Sequence, residues 1–390
     1  MSENNSPRKN ADVTRNFAMI GCGERAIIGT HIPALDPGGA VTYAVDPRAA
    51  SLDRARMLFG DDVLTFDSTE ALLATNPDLA GAIVCTPDDT HAAVASLLLR
   101  AGVPVYLEKP MSVTLEDADT LLEVAHQTGT KLYVGHNMRH MSVVRLMKKI
   151  IDDGLIGQVK AVWCRHFVGN GGDYYFKDWH ADRRFSGTLL LQKGAHDLDV
   201  IAYLAGASAV RVQGMGDLMI YGDITDRRDN SDMLMKQWFS FDNWPPTEVT
   251  GLNPVIDVED ISMLNMRLAN GVLASYQQCH FTPDYWRNYT VIGDAGRLEN
   301  FGDAEGGVVK VWNRRHTFQA DGDLEFPIVG DAGGHGDADR LTMGEFLRFL
   351  DGAPTVTSAL AARDAVATAV TGAQSIRNHD KTLDVPRFTF

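Results

Sequence analysis

An apolar run, Phe17-Ala-Met-Ile20, enters Gly21-Cys22-Gly23-Glu24-Arg25-Ala26 and continues as a helix-compatible stretch to Leu35. This segment narrows the possible folds more than any other. A short buried strand must turn sharply into a helix, and the turn is built from residues with backbone freedom. Gly21 permits the tight turn, Gly23 lets the main chain approach a ligand, and Ala26 keeps helix and strand close. The start of the helix then presents unpaired N–H groups to an anion such as a pyrophosphate.

The following segments extend the pattern. Ala40-Val-Thr-Tyr-Ala-Val45 reads as a second strand and ends in Asp46, where an acid meets the adenosine ribose hydroxyls of a dinucleotide. Asp46 also precedes a proline and fits a turn. Its carboxylate would repel a 2′-phosphate, so NAD is expected over NADP, with Arg48 pulling the other way. Ala82-Ile-Val-Cys85 is the next strand, followed by Thr86-Pro87 and a helix containing His91. Val103 to Leu107 is another, ending at Glu108-Lys109-Pro110. Proline lacks an N–H and biases Lys109 towards an extended backbone. In an open parallel sheet the carboxyl ends of the strands border the ligand crevice, and a lysine there has a compact charge and an adjustable pKa suited to proton chemistry. Thr114-Leu-Glu-Asp117 starts a helix that stops at Gly129, and Lys131-Leu-Tyr-Val-Gly135 is a strand closing near His136-Asn137-Met138-Arg139. Strands alternating with helices mean an α/β domain, a doubly wound parallel sheet of the Rossmann type, over residues 17–150. Before it, residues 1–16 are polar, lack the apolar core of a signal peptide and are expected to form a loose tail.

Beyond residue 150 the period changes. Val159 to Arg165 alternates like an antiparallel strand, and Ile261 to Leu268 with Val272 to His280 flank Asn270-Gly271, a hairpin signal. Tyr289 to Ile292 and Gly296 to Glu299 suggest a second hairpin, and Val308 to Trp312 one more strand. Residues 151–390 are therefore expected to form an α/β domain with an open, mostly antiparallel sheet, closed by helices within 338–378. An open sheet face suits a symmetric partner, so a homo-oligomer, dimer or tetramer, is expected. Gly169 to Ser186, carrying Tyr174, Tyr175, Trp179, His180 and Arg183, reads as a long loop, as does Gly222 to Glu259. Gly333-Gly-His-Gly336 reads as a turn or a pocket lid.

Ser186 to Leu204 is expected to be helical from about Thr188. On that helix Gln192 and His196 (i, i+4) and His196 and Asp199 (i, i+3) are neighbours. Asp197 points away from Asp199 and no HxxxH pattern accompanies them, so no metal site is read here. Four scattered cysteines without CxxC spacing indicate neither a disulfide framework nor zinc. A formal charge of −15 offers no footprint for nucleic acid or an anionic membrane, and no apolar run spans a bilayer. The cytoplasm is the expected compartment.

Taken together, the Gly21–Ala26 turn, Thr86-Pro87 with His91, Glu108-Lys109-Pro110, and Gly187 through His196-Asp-Leu-Asp199 resemble the Gfo/Idh/MocA oxidoreductases, the glucose-fructose oxidoreductase and inositol dehydrogenase superfamily. The resemblance implies NAD(P)-linked chemistry on sugars or polyols. It places Gly21, Cys22, Gly23, Glu24, Arg25, Ala26, Asp46, Thr86, Pro87, His91, Glu108 and Lys109 at the cofactor, and sets Lys109 and His196 before the substrate beside the nicotinamide. Where the family often has an aspartate four residues before the histidine, this chain has Gln192, which cannot relay a proton. Lys193 is a possible substitute, although it lies about 100° round the helix from Gln192. Asn137, Arg139, Tyr174, Trp179, His180 and Arg183 complete the expected sugar-binding set with Gln192, Lys193 and His196. Three activities fit: an NAD-dependent dehydrogenase of a secondary hydroxyl, a redox glycosidase with His180, Tyr174 or Lys109 as its second acid or base, and a non-catalytic NAD-responsive sensor.

Overall fold

A computed structural model describes residues 14–233, 235–330 and 336–389. Residues 1–13 of the expected 1–16 tail, and Gly333, Gly334 and His335 of the expected turn or lid, lie outside the described residues, whereas Arg15 and Asn16 of that tail already belong to the first strand. The chain divides into two compact units: residues up to 112 with 116–137 and 339–359, and residues 113–115 with 138–338 and 360–390.

The first unit holds six parallel strands: β1 (Arg15–Ile20), β2 (Gly39–Val45), β3 (Leu64–Phe66), β4 (Gly81–Val84), β5 (Val105–Leu107) and β6 (Leu132–Val134). Their order is β3-β2-β1-β4-β5-β6, the order of a dinucleotide-binding sheet, with the topological switch between β1 and β4. β4 and β5 are apolar and buried throughout, and β1 is so from Phe17 to Ile20, because both faces are covered there. Thr69–Ala74 illustrates the local logic of the covering helices: Ser68 caps it, its hydroxyl accepting the Ala71 N–H at 3.4 Å. Phe17, Met19, Ile83, Tyr106 and Tyr133 form one apolar cluster with Met343, Phe346 and Leu347 from the Gly336–Leu350 helix. The Phe346 ring meets Tyr106 edge-on at 5.6 Å. Most of that late helix thus belongs to the first unit, whereas the sequence reading puts it with the C-terminal domain. An apolar stripe announces that a helix is covered, not by which sheet.

The second unit is built on a nine-stranded sheet ordered β14-β13-β12-β11-β7-β10-β9-β8-β15. These strands are β7 (Val159–Phe167), β8 (Ala209–Asp217), β9 (Ile261–Leu268), β10 (Leu273–Cys279), β11 (Trp286–Gly293), β12 (Arg297–Phe301), β13 (Val308–Trp312), β14 (Leu324–Pro327) and β15 (Leu383–Asp384). Both expected hairpins are present, as β9–β10 and β11–β12. One pairing breaks the antiparallel rule: β7 runs antiparallel to β11 but parallel to β10. The inner face is covered by the Gly194–Ala205 and Ala359–Arg377 helices. A Cβ on Gly194 would sit 2.9 Å from the Tyr276 ring, and one on Gly214 only 2.7 Å from the Gly372 carbonyl. The other face is open, and Trp163, Met215, Met263 and Leu273 on it are between 41% and 51% exposed.

Residues 169–186 are not a loop, as the sequence suggests, but three short helical turns, Gly171–Tyr175, Trp179–Ala181 and Arg183–Ser186. They pack with the 218–258 stretch through Phe176, Ala181, Tyr221, Val249, Leu252 and Val258, and the Phe176 and Tyr221 rings stack at 4.3 Å. Turns this short carry no readable period, so only tertiary packing reveals them.

Candidate active site

At the switch point of the parallel sheet, Gly21 has φ +87°, and a Cβ there would lie 2.6 Å from the Cys85 carbonyl oxygen. The turn therefore closes against the end of β4 only with glycine. At Gly23 an added Cβ meets no protein atom within 4 Å, which suits the close approach of a pyrophosphate. Ala26 is buried, and Glu24 forms an ion pair with Arg54 at 3.0 Å. Gly21→Ala is expected to cost about 1–3 kcal/mol in backbone strain alone, with more from the overlap. A thermal melt should show a lower Tm together with weaker NAD binding; an unchanged melt would refute this account of the turn.

Asp46 ends β2 in a buried position and braces the same turn. One carboxylate oxygen accepts the Cys22 N–H at 3.0 Å and the other the Arg48 N–H at 2.9 Å. Burial and the Asp46 charge push the Cys22 thiol up to about 12, so it is no nucleophile at neutral pH. Arg25 does not reach outward from the turn. Its guanidinium pairs with Glu108 and, at 2.6 Å, with Asp339, whose other oxygen accepts the Asn137 side-chain N–H at 2.8 Å. Burial opposes the charge on Arg25, but Glu108 and Asp339 more than offset it and hold the pKa above its ordinary value.

His91, fully buried, ties the ends of two strands together. Its Nδ1 lies 2.7 Å from the Pro110 carbonyl oxygen and its Nε2 2.8 Å from that of Thr86. Thr86-Pro87 and Glu108-Lys109-Pro110 are thus clasped at the carboxyl ends of the adjacent strands β4 and β5. The Lys109 N–H donates to Glu108 at 3.2 Å, and the Lys109–Pro110 peptide is cis.

In the second unit, Thr188 caps the expected helix, its hydroxyl accepting the Leu191 N–H at 3.0 Å. The helix runs as Leu189–Gln192 and Gly194–Ala205, with Gln192 and His196 both buried. Arg139 is buried too. It grips Asp199 with two hydrogen bonds, at 2.7 and 2.6 Å, and lies over the Tyr203 ring. Trp179 stacks on His180 at 3.8 Å, and His180 Nδ1 lies 2.5 Å from Asp178. Tyr174, partly exposed, sits 5.3 Å from Phe239, and half-exposed Arg183 pairs with Asp257 at 3.5 Å. Lys193 is part-buried with its ammonium over the Tyr175 ring. Burial first, and Arg287 second, lower its pKa to about 8.

Sequence reasoning missed a buried charged network in this unit. Asp197, fully buried, accepts from Tyr289 and, at 3.2 Å, from Tyr276, and meets Arg287 at 3.0 Å and His166 at 3.2 Å. Burial opposes its charge, but Arg287 and His166 prevail and hold its carboxyl well below the usual range. Burial and Arg287 push His166 down to about 3. The available signal was strand periodicity: Cys164, His166, Tyr276, Gln278, Arg287 and Tyr289 all occupy inward positions, and the register sets His166 opposite Arg287 and Cys164 opposite Tyr289. Among the described residues no cluster of metal-binding side chains occurs, and no helix is long and apolar enough to cross a membrane.

Comparison with known proteins accords with this geometry. Residues 15–136 match the oxidoreductase family with an NAD-binding Rossmann fold, and residues 144–299 match the GFO/IDH/MocA C-terminal domain. YteT of Bacillus subtilis, named as an oxidoreductase, is 27% identical over 313 residues, 70% of this chain and 73% of that protein. Inositol 2-dehydrogenase of Rhizobium meliloti is 28% identical over 219 residues, 56% of this chain and 63% of that protein. The solved structure of levoglucosan dehydrogenase in complex with NADH and levoglucosan shares the fold, with a TM-score of 0.78 at 18% identity over 96% of this chain and all of that one. With both of its family regions matched in order, the chain belongs to the Gfo/Idh/MocA family of oxidoreductases, with an NAD-binding Rossmann domain.

Proposed function

We propose that this protein is an NAD-dependent dehydrogenase acting on a secondary hydroxyl of a sugar, polyol or sugar derivative. The observation that carries this reading is in the first unit: Lys109 ends β5 at the same carboxyl edge of the sheet where the Gly21 turn and Thr86 border the switch point. Ligands of open α/β sheets bind at that edge. The turn fits a dinucleotide, since Gly21 excludes a side chain and Gly23 leaves space for a ligand. Relatives named as inositol dehydrogenases support a polyol-like substrate.

When bound, the nicotinamide supplies the acceptor for the hydride. The chain supplies the proton chemistry. His196 takes the hydroxyl proton, imidazole being the side chain best matched to that task near neutral pH. Lys109 donates a hydrogen bond to the same oxygen and stabilises developing alkoxide charge. Gln192, a neutral amide, orients the substrate or His196 without carrying a proton. Purified protein given NAD and a panel of sugars and polyols should form NADH with at least one of them. A protein that binds NAD and forms NADH with none would fit the sensor reading instead.

Asp46 sets the cofactor preference. NAD(H) should bind more tightly than NADP(H), because a 2′-phosphate beside this carboxylate adds like-charge repulsion. Asp46→Ser should narrow the ratio of the two dissociation constants by about tenfold or more. Both constants should rise in that variant, since the brace on Cys22 is lost as well. Fluorescence titration of the two nicotinamides measures the ratio, and a native preference for NADP(H) would sink the assignment.

The open face of the second unit's sheet, with half-exposed Trp163, Met215, Met263 and Leu273, suits a symmetric homo-oligomer. Light scattering at micromolar concentration should report a dimer or tetramer. A monomer would rule this out.

A further inference from the structure

Lys193 differs from several other basic side chains of the second unit. Arg139 pairs with Asp199, Lys177 with Asp173 at 2.8 Å, Arg184 with Asp182 at 2.5 Å, and Arg287 with Asp197. Lys193 has no carboxylate within ion-pair distance among the described residues; Asp197 and Asp303 act on it only from further away. A part-buried ammonium without a counter-ion has lost hydration and gained little in return. The Tyr175 ring, 5.9 Å from Nζ, offsets only part of that cost.

A second unsatisfied group lies on the same ring. His280, at the end of β10, is fully buried, and neither of its ring nitrogens has a hydrogen-bond partner among the described residues. Burial drives its pKa well below the ordinary value, with His166 and Lys193 adding to the effect, so the imidazole is neutral with one donor and one acceptor. Its ring meets Tyr175 edge-on at 5.2 Å, and His180 meets the same tyrosine at 5.4 Å. Lys193, His280 and His180 therefore surround Tyr175.

We infer that this corner of the second unit binds the carboxylate of an acidic sugar, a uronate or aldonate, with Lys193 as its counter-ion and His280 as a hydrogen-bond donor beside it. The inference rests on the dehydrogenase reading above and narrows its substrate class. A carboxylate is favoured over a phosphate because one cation is available, whereas a dianion would draw on several. The remaining charges nearby do not alter this balance: Arg287 is committed to Asp197 and, at 3.7 Å, to Asp303, Asp178 is held by His180, and His166 is neutral.

The test uses the full chain with NAD present. Lysine-specific ¹⁵N labelling, with Lys193→Gln identifying the signal, follows the titration of this ammonium. D-Glucuronate or D-galacturonate should raise the pH at which it titrates, whereas D-glucose and D-galactose should not. Affinity for the acids should fall as pH rises through about 8, because the free ammonium loses its proton there. In turnover, Lys193→Met should lower kcat/KM for acid relative to neutral sugar by about 10- to 100-fold, the worth of one hydrogen bond to a charged group. Lys193→Arg, which keeps the charge, should retain part of the discrimination and serves if the methionine variant does not fold. A Lys193 signal unmoved by either acid overturns the inference, as does an equal loss on acid and neutral sugars. Movement with glucose 6-phosphate but not with the uronates overturns the carboxylate assignment. If no alcohol yields NADH while the uronates still shift Lys193, the dehydrogenase reading fails and the anion site stands.

Discussion

Lys109→Ala and His196→Ala are each expected to lower turnover by about 10²–10⁴-fold, the usual contribution of a general acid–base group. The dissociation constant for NAD should change far less, because both side chains are assigned to the reacting oxygen and not to the dinucleotide. Gln192→Ala should cost less than either, since an amide can orient but cannot accept the proton. Steady-state kinetics on a verified substrate, paired with NAD titration, separates these effects. Near-normal turnover in both single variants would make Lys109 and His196 structural. The proton acceptor would then be sought among residues 169–186, first at His180, whose Nδ1 already faces Asp178 at 2.5 Å.

The largest stability effect is expected at Asp197. Replacing it with Asn removes the nearer of two carboxylates from the buried Arg287 and leaves it only Asp303, at 3.7 Å, and breaking a buried pair in this way costs about 3–5 kcal/mol. Replacing both partners, Asp197→Leu with Arg287→Met, should cost less than the single change, because the fully buried guanidinium leaves together with its nearer carboxylate. The same network sets an acid limit on stability. His166 titrates near 3 in the fold and near 6.5 when unfolded, so the unfolded chain binds the extra proton between those values and stability falls as pH drops from about 6.5. Asp197 acts in the same direction at lower pH: its stabilisation is present above the ordinary carboxylate range and is lost as pH falls through its depressed native value. Urea unfolding at pH 7 and pH 4.5 should show the difference, and His166→Phe should shrink it. A flat profile over that range would contradict the assigned network.

Much of this was legible in the chain because the first unit is a local code. A parallel strand buried on both faces is an apolar run, and its ligand end is marked by glycine, proline and a charged residue, as at Gly21 and at Glu108-Lys109-Pro110. Helix 359–377 was legible for a similar reason, being long and periodic. β3 escaped because three residues, Leu64-Thr-Phe66, carry no period. The parallel pairing of β7 with β10 escaped because the side-chain period of two is the same in either direction. The roles of Asp46, Arg25 and His91 were only half legible. Their positions in motifs were plain, but that Asp46 braces the Cys22 N–H, that Arg25 is spent on Glu108 and Asp339, and that His91 clasps two strand ends are matters of tertiary contact. Arg139 reads as a substrate ligand until its partner Asp199, sixty residues on, is seen.

The central claim is that a hydride passes from a substrate carbon to nicotinamide while side chains of this protein take the hydroxyl proton. The most direct measurement uses an alcohol substrate carrying deuterium at the carbon to be oxidised, with mass analysis of the nicotinamide and the sugar after turnover. The account predicts net NADH containing one deuterium, a ketone product, and loss of both in His196→Ala and Lys109→Ala. Cleavage of a glycoside with no net NADH and with deuterium returned to the same sugar carbon would contradict it, and would establish transient oxidation instead.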